Sequence, residues 1–245
     1  MPTAQKMKEI YNEIVKAKAK NQRLLAILID PDKVTLNRIS ILSQKIKNSP
    51  ATHIFIGGSS YEGTNIDELI IELKLKIELP IVLFPGNPSQ ISKEANGILF
   101  LTLLSGRNPD YLIEHQVNAV PILKKTSLEI ISTGYILIDS ENETSVAKVS
   151  NTKPLNRNNA EFALQTAQAG ELLGNKLIYL EAGSGAKLSV PLKMITLVSQ
   201  NIQIPLIVGG GIRSKQQIED AYNAGADLVV IGTAFENDFD FFTSK

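Results

Sequence analysis

The sequence predicts a (β/α)8 barrel, and three observations carry that prediction. Short apolar runs alternate with amphipathic stretches at helical spacing, the pattern of a parallel sheet built from βαβ units. The length, 245 residues, is close to the roughly 250 typical of one such barrel. Near the C-terminal end, Pro205-Leu-Ile-Val-Gly-Gly-Gly-Ile-Arg-Ser214 and Asp227-Leu-Val-Val-Ile-Gly-Thr-Ala-Phe235 each read as a buried strand that stops at glycine. Consecutive turns of this kind expose backbone N–H groups and a helix N-terminus, which together bind an anion. Barrels of this class hold phosphate after strands seven and eight. A small phosphorylated substrate at the C-terminal face of the barrel is therefore expected.

In order along the chain, strands are expected at Leu24–Ile29, His53–Ile56, Ile81–Phe84, Ile98–Leu104, Tyr135–Ile138, Lys176–Leu180, Leu206–Val208 and Leu228–Ile231. Most are followed at once by Gly, Asp, Ser or Pro. Helical spacing fills Leu36–Lys47, Ile66–Ile77, Pro109–Val120, Asn158–Leu173, Pro191–Gln200 and Lys215–Ala224. Pro85–Asn96 is too short for a full crossover, so the third helix should be reduced or missing. Ser140–Asn156 is polar and patternless, which reads as a loop or an irregular pair of strands. Met1–Lys20 is a polar, lysine-rich helical pattern without an apolar signal core. A doubly wound open sheet is the structural competitor, but no G-x-G-x-x-G follows the first strand. The expectation is one barrel domain over residues 1–245.

Composition narrows the function. Hydrophobic residues make up 43%, enough for a large core, and Lys+Arg and Asp+Glu both number 25. The balance leaves no basic field to hold nucleic acid. With no cysteine, disulfides, thiolate catalysis and Cys-ligated metals are excluded. No apolar run reaches the roughly 18 residues of a membrane span. A cytoplasmic enzyme without a transmembrane segment is expected. His53 starts a strand and His115 lies in a helix, so neither should sit at the catalytic face.

Four segments offer chemistry. In Leu28-Ile-Asp-Pro-Asp-Lys33, Asp30 falls where the first strand ends, at the catalytic face; beside a phosphate site it is a natural Mg²⁺ ligand. Asp32 reads equally well as a helix cap. In Ile56-Gly-Gly-Ser-Ser60 the hydroxyls offer hard oxygens, and adjacency of the first two strands places Ser59 near Asp30, although Gly-Gly-Ser alone is often only a loop. In Tyr179-Leu-Glu-Ala-Gly-Ser-Gly185, Glu181 is the only carboxylate and the best general-base candidate, with Gly183, Ser184 and Gly185 available to complete a phosphate pocket. In Phe100–Pro109, Arg107 and Asn108 could bind a second phosphate group; Asn108 also reads as a cap before Pro109.

Together, Leu-Ile-Asp-Pro-Asp-Lys, Ile-Gly-Gly-Ser, Ser-Gly-Arg-Asn-Pro, Tyr-Leu-Glu-Ala-Gly-Ser-Gly, Val-Gly-Gly-Gly-Ile-Arg and Ile-Gly-Thr resemble the geranylgeranylglyceryl phosphate synthase family, from about Leu24 to Phe235. The Ala-Gly-Ser-Gly segment is similar to one branch rather than to the heptaprenyl branch. The resemblance implies a modified TIM barrel with a reduced third helix. It implies a transferase of lipid biosynthesis that joins sn-glycerol 1-phosphate to a polyprenyl diphosphate, giving an ether-lipid precursor and diphosphate. It also implies Mg²⁺ on Asp30 and Ser59. Glycerol-phosphate contacts are implied from Tyr179, Leu180, Glu181, Ala182, Gly183, Ser184 and Gly185, from Gly209 and Gly210, and from Gly232 and Thr233. A homo-oligomer, dimer or hexamer, is implied as well. One departure stands out: the heptaprenyl branch has a Lys two residues before the first-strand Asp, and here Leu28 stands there. For the prenyl tail, Phe84, Phe100, Leu101 and Leu103 are the groove candidates, with room beside them where the third helix is missing.

Two alternatives remain at this stage. A phosphosugar isomerase or lyase uses the same paired glycine turns, and a non-catalytic phosphate-binding barrel would keep them. A Schiff-base aldolase is disfavoured because no Lys ends a strand; Lys176 starts one and points to the opposite face.

Overall fold

Eight runs rich in Ile, Leu and Val form the strands because alternate side chains can be buried on both faces at once. The computed structural model describes residues 9–59, 63 and 65–243; the expected helical residues 1–8 and Ser60 lie outside them. Helix α1 (Ile10–Ala19) precedes a closed, all-parallel barrel of β1 (Leu24–Ile29), β2 (His53–Ile56), β3 (Ile81–Leu83), β4 (Gly97–Leu103), β5 (Glu129–Leu137), β6 (Leu177–Glu181), β7 (Leu206–Gly209) and β8 (Leu228–Ile231). Closure comes from β8 returning to β1 in the register Leu24↔Leu228 through Ile27↔Ile231.

Alternation along each strand divides the core into two layers. Leu24, Ala26, Phe55, Val82, Leu99, Tyr179 and Val230 fill the barrel interior. Leu25, Ile27, Ile54, Ile81, Ile178 and Val229 face the surrounding helices. Those helices are α2 (Ile39–Lys47), α3 (Ile66–Lys74), α4 (His115–Leu123), α5 (Ser145–Ser150), α6 (Ala160–Leu172), α7 (Leu192–Ser199), α8 (Lys215–Asn223) and α9 (Thr233–Asn237). In α6, Ala163, Ala167 and Gly170 recur at i, i+4 and i+7 and are buried against the barrel; small side chains there let the helix lie close. No helix among the described residues is long and apolar enough to cross a membrane.

The N-terminal end of the barrel is stoppered by α1. Ile10, Ile14 and Ala17 join the interior cluster, and the Glu129 carboxylate accepts the N–H groups of Ile10 and Tyr11 at 2.6 and 2.9 Å. A carboxylate at a helix N-terminus satisfies free donors and complements the dipole. Lys176 stands over the Tyr11 ring at 5.2 Å, on the face opposite the site, as expected from its position ahead of β6.

The third connection has no α-helix. It holds one 3₁₀ turn, Pro88–Gln90, with the Asn87 side chain accepting from Ser89 N–H. Elsewhere the structure departs from the sequence reading. β5 starts at Glu129 rather than at Tyr135, because Ser132, Thr133 and Gly134 interrupt the apolar run while still pairing with β4. The patternless Ser140–Asn156 segment contains the short helix α5 and one parallel bridge, Ile138↔Leu155. Six residues are too few to show helical periodicity.

Candidate active site

A polar pocket enclosing about 1040 Å³, partly open to solvent, occupies the C-terminal face of the barrel. Most of its walls come from the ends of strands and the turns that follow them, where side chains are free of the barrel layers, and α5 adds Ser145 and Val146 and α9 adds Glu236. β1 contributes Asp30 and β2 contributes Gly57, Gly58 and Ser59. β6 supplies Glu181 with Gly183, Ser184 and Gly185 in the loop that follows. β7 ends in Gly210 and Gly211, and β8 in Gly232 and Thr233. Gly210 has φ +79°, and a Cβ there would lie 2.6 Å from Gly183 N and 2.7 Å from Ala182 N. The β6 and β7 turns can approach this closely only with glycine.

Glu181 is 5% exposed. Its Oε1 accepts the Gly183 N–H at 2.7 Å, and the Tyr179 hydroxyl stands beside the carboxylate below it. Burial pushes the carboxyl up to about 7, against the opposing pull of Tyr179 and the Gly183 amide. A carboxylate poised near neutrality in a cleft has the pKa a general base needs. The Tyr135 and Tyr179 hydroxyls are fully buried without a completed hydrogen bond, and burial together with the neighbouring Glu181 raises both pKa values. An unpaired buried hydroxyl costs about 1–3 kcal/mol, a cost that a polar ligand would relieve at Tyr135, which lines the pocket.

Asp30 and Ser59 both open onto this pocket. Asp30 Oδ1 accepts the Asp32 N–H at 3.1 Å, so Asp30 and not Asp32 closes the turn with its side chain. Among the described residues, no three His, Cys, Asp or Glu side chains gather as a metal cluster. One carboxylate and one hydroxyl nevertheless fit Mg²⁺, which takes few protein oxygens and completes its octahedron with water and substrate phosphates.

A second, apolar cavity of about 790 Å³ lies beside the first, partly open to solvent. It sits between β4, the short third connection and α4, in the place a third helix would fill. Phe84, Phe100, Leu101 and Leu103, expected as groove residues, all line it, with Ile91, Ile98, Tyr111 and Ala119. Gly58, Ser59, Phe84, Tyr135 and Val146 line both cavities, so the two communicate. Phe84 stacks on Tyr179 at 5.4 Å and lies 5.9 Å from Tyr135, an aromatic wall at the junction. His53 is buried at the far end of β2 with its pKa lowered to about 4 by desolvation. His115, in α4 as expected and away from the polar pocket, lines the apolar cavity, just after a π-helical turn over Asp110–Glu114.

Of the residues expected to touch substrate, Glu181, Gly183, Ser184, Gly185, Gly210, Gly232 and Thr233 surround the polar pocket. Tyr179, Leu180, Ala182 and Gly209 do not line it. Tyr179 points into the barrel interior and Leu180 into the helix-facing layer. Ala182 N–H is already donated to Gly209 O at 3.0 Å. Arg107 and Asn108 are displaced altogether, lining a separate depression with Asn151, Thr152 and Lys153. The Arg107 guanidinium donates to the carbonyls of Leu104 and Gly106, and Asn108 ties Ser150 O at 2.8 Å while its Oδ1 accepts the Asp110 N–H at 3.0 Å. Both serve local loop structure.

Sequence reasoning missed several residues. Gln90, fully buried, donates to Gly58 O at 2.9 Å and accepts the N–H groups of Gly58 and Gly86 at 3.3 Å, holding the β2 turn in shape. Lys33, Arg213 and Glu236 line the pocket. Glu236 had a legible signal, a lone carboxylate one helical turn after the Gly232-Thr233 turn; Gln90 had none.

The chain is similar to known proteins. A model described as the PcrB family matches residues 15–244. A geranylgeranylglyceryl phosphate synthase from Flavobacterium johnsoniae is 66% identical over 235 residues, covering 96% of this chain and 97% of the relative. The protein of that name from Pyrococcus furiosus is 40% identical over 221 residues, 90% of this chain and 87% of the relative. The crystal structure of (S)-3-O-geranylgeranylglyceryl phosphate synthase from Thermoplasma acidophilum in complex with sn-glycerol-1-phosphate superposes with a TM-score of 0.90 at 30% identity, covering 96% of this chain and 94% of that one. A thiamine phosphate pyrophosphorylase from Pyrococcus furiosus, at a TM-score of 0.56, 12% identity and 89% coverage of both chains, shares the fold alone.

Proposed function

The chain belongs to the PcrB family, and from that premise we propose that it is a prenyltransferase joining sn-glycerol 1-phosphate to a polyprenyl diphosphate, geranylgeranyl being the chain named in its relatives. The product is an ether-lipid precursor. The observation that carries the reading is the pairing of a glycine-walled polar pocket, with a buried carboxylate at its floor, to a continuous apolar cavity. One substrate is a small phosphorylated alcohol and the other a long hydrocarbon with a charged head. A phosphosugar isomerase has no use for the apolar cavity, and an inert phosphate-binding barrel has no use for a buried, destabilising carboxylate.

In this reading the turns at Gly210 and Gly232 hold the glycerol phosphate, with Gly183, Ser184 and Gly185 closing over it. Glu181 accepts the proton of the attacking hydroxyl as the C–O bond forms, which raises the nucleophilicity of an otherwise weak alcohol. The tail lies along Phe84, Phe100, Leu101 and Leu103. Phe84 and Tyr135 keep water from the reacting carbon, and the fixed alignment of two substrates supplies much of the rate. Asp30 and Ser59 are the residues that would hold Mg²⁺; when bound, it neutralises charge on the departing diphosphate. The proposal includes a cytoplasmic setting and a homo-oligomer.

Incubation with labelled sn-glycerol 1-phosphate, a series of prenyl diphosphates and Mg²⁺ tests the reading. An organic-extractable labelled product with the geranylgeranyl donor is expected. Its absence with every donor sinks the proposal.

A further inference from the structure

Asp30 has both carboxylate oxygens engaged. Oδ1 accepts the Asp32 N–H, and Oδ2 lies 3.2 Å from Lys33 Nζ. The same ammonium lies 3.0 Å from Glu236 Oε2, and the other Glu236 oxygen accepts the Asp30 N–H at 3.2 Å. Glu236 stands on α9, directly after the β8 turn, with its side chain 16% exposed. One lysine therefore bridges two carboxylates at the mouth of the pocket. The three groups together carry one net negative charge.

A divalent cation arriving at Asp30 Oδ2 would repel Lys33 from it, since like charges at such distances repel strongly in a partly dehydrated site. Lys33 would keep Glu236 as an anchor. Its flexible four-carbon stem, half exposed, lets the ammonium swing on that anchor into the pocket. The other cation lining the pocket is Arg213, which is committed to the carbonyls of Ala186 and Lys187. Ser59 lines the polar pocket with Asp30 and Lys33 and lines the apolar cavity as well, so the charged head of a substrate whose tail lies in the apolar cavity would enter the pocket that Lys33 lines.

We infer that Lys33 is a diphosphate-binding residue: it neutralises Asp30 in the free protein and transfers to an oxygen of the prenyl diphosphate when a divalent cation takes its place, with Glu236 positioning it in both states. This rests on the prenyltransferase reading and assigns the donor's charged head a protein partner. No bond is made or broken in the exchange.

The test is calorimetry of the full chain with inorganic diphosphate in the presence of Mg²⁺, and separately with sn-glycerol 1-phosphate. Lys33→Met should weaken diphosphate binding about tenfold or more, the loss of one charge-assisted hydrogen bond. Its affinity for sn-glycerol 1-phosphate should stay within about twofold. Lys33→Arg should recover part of the loss. Unchanged diphosphate binding by Lys33→Met overturns the inference. A selective loss for glycerol phosphate also overturns it, by assigning the lysine to the other anion. Equal losses for both ligands overturn it too, by making the lysine a structural brace. These outcomes are separate from failure of the function itself, which shows as absence of prenyl transfer by the unaltered protein.

Discussion

Replacing Glu181 by Gln should cost the protein its activity and increase its stability, and both effects follow from the same burial. In the fold the carboxyl is pushed from 4.5 to about 7. A group whose folded pKa is raised carries no penalty below about pH 4.5, where both states are protonated. The penalty grows as pH rises and levels off above about 7, where both states are charged but only one is buried. A rise of this size corresponds to about 3 kcal/mol. Gln removes the charge, keeps the volume and keeps an acceptor for Gly183 N–H. At pH 8, Glu181→Gln should therefore unfold about 6–12 °C higher, at roughly 2–4 °C per kcal/mol for a chain of this size; at pH 5 the gain should nearly vanish. Turnover should fall about 10²-fold or more, equally in kcat and kcat/KM, as expected for an interaction made in the transition state. The unaltered enzyme should lose activity as pH falls through about 7, because the base is then protonated. Calorimetric scans at the two pH values and steady-state kinetics decide it. A variant with unchanged kcat and a raised KM for glycerol phosphate would refute the assignment, making Glu181 a hydroxyl-binding group and leaving water or the departing diphosphate to take the proton.

Asp30→Asn keeps volume but removes the charged ligand, so Mg²⁺-dependent activity should be lost with the melting temperature preserved; wild-type turnover and Mg²⁺ response would remove Asp30 from the metal site. Gly210→Val places a side chain against Gly183 N–H, and calorimetry should show glycerol phosphate affinity falling more than prenyl diphosphate affinity. An equal fall would indicate general damage, and no fall would move the phosphate elsewhere. Leu101→Ser removes apolar surface from the cavity wall, so KM for geranylgeranyl diphosphate should rise about tenfold while KM for glycerol phosphate holds. A rise confined to glycerol phosphate would misplace the tail.

How much of this was legible depends on whether a signal is local. β1, β2 and β8 were readable to the residue because each is a short apolar run ended by a turn residue. The reduced third helix was readable from length alone. Glu181 stood out because an apolar strand delivers it among small residues. Gln90 and Lys33 were not readable as site residues, and the position of Glu236 after a glycine turn hinted at the pocket but not at its partner, Asp30, 206 positions away. Arg107 reads as a phosphate ligand because it is a cation after a strand, and only the fold shows that it lines a separate depression with Nη1 donating to carbonyls of its own loop.

The missing third helix leaves an outer ring with a gap. Around the rest of the barrel a peptide helix covers the apolar outer face; between β3 and β4 the chain supplies only one short turn, and Ile98 and Phe100 line a cavity. A polyprenyl tail is the one component of this system with the shape and polarity to occupy that seat. The donor would then be a temporary part of the architecture as well as a reactant, and burying its hydrocarbon would complete a wall that the polypeptide leaves open. A ligand bound only by the folded state stabilises it in proportion to its saturation. Each turnover would thus begin by filling the gap in the outer ring and end, when the lipid departs, by reopening it.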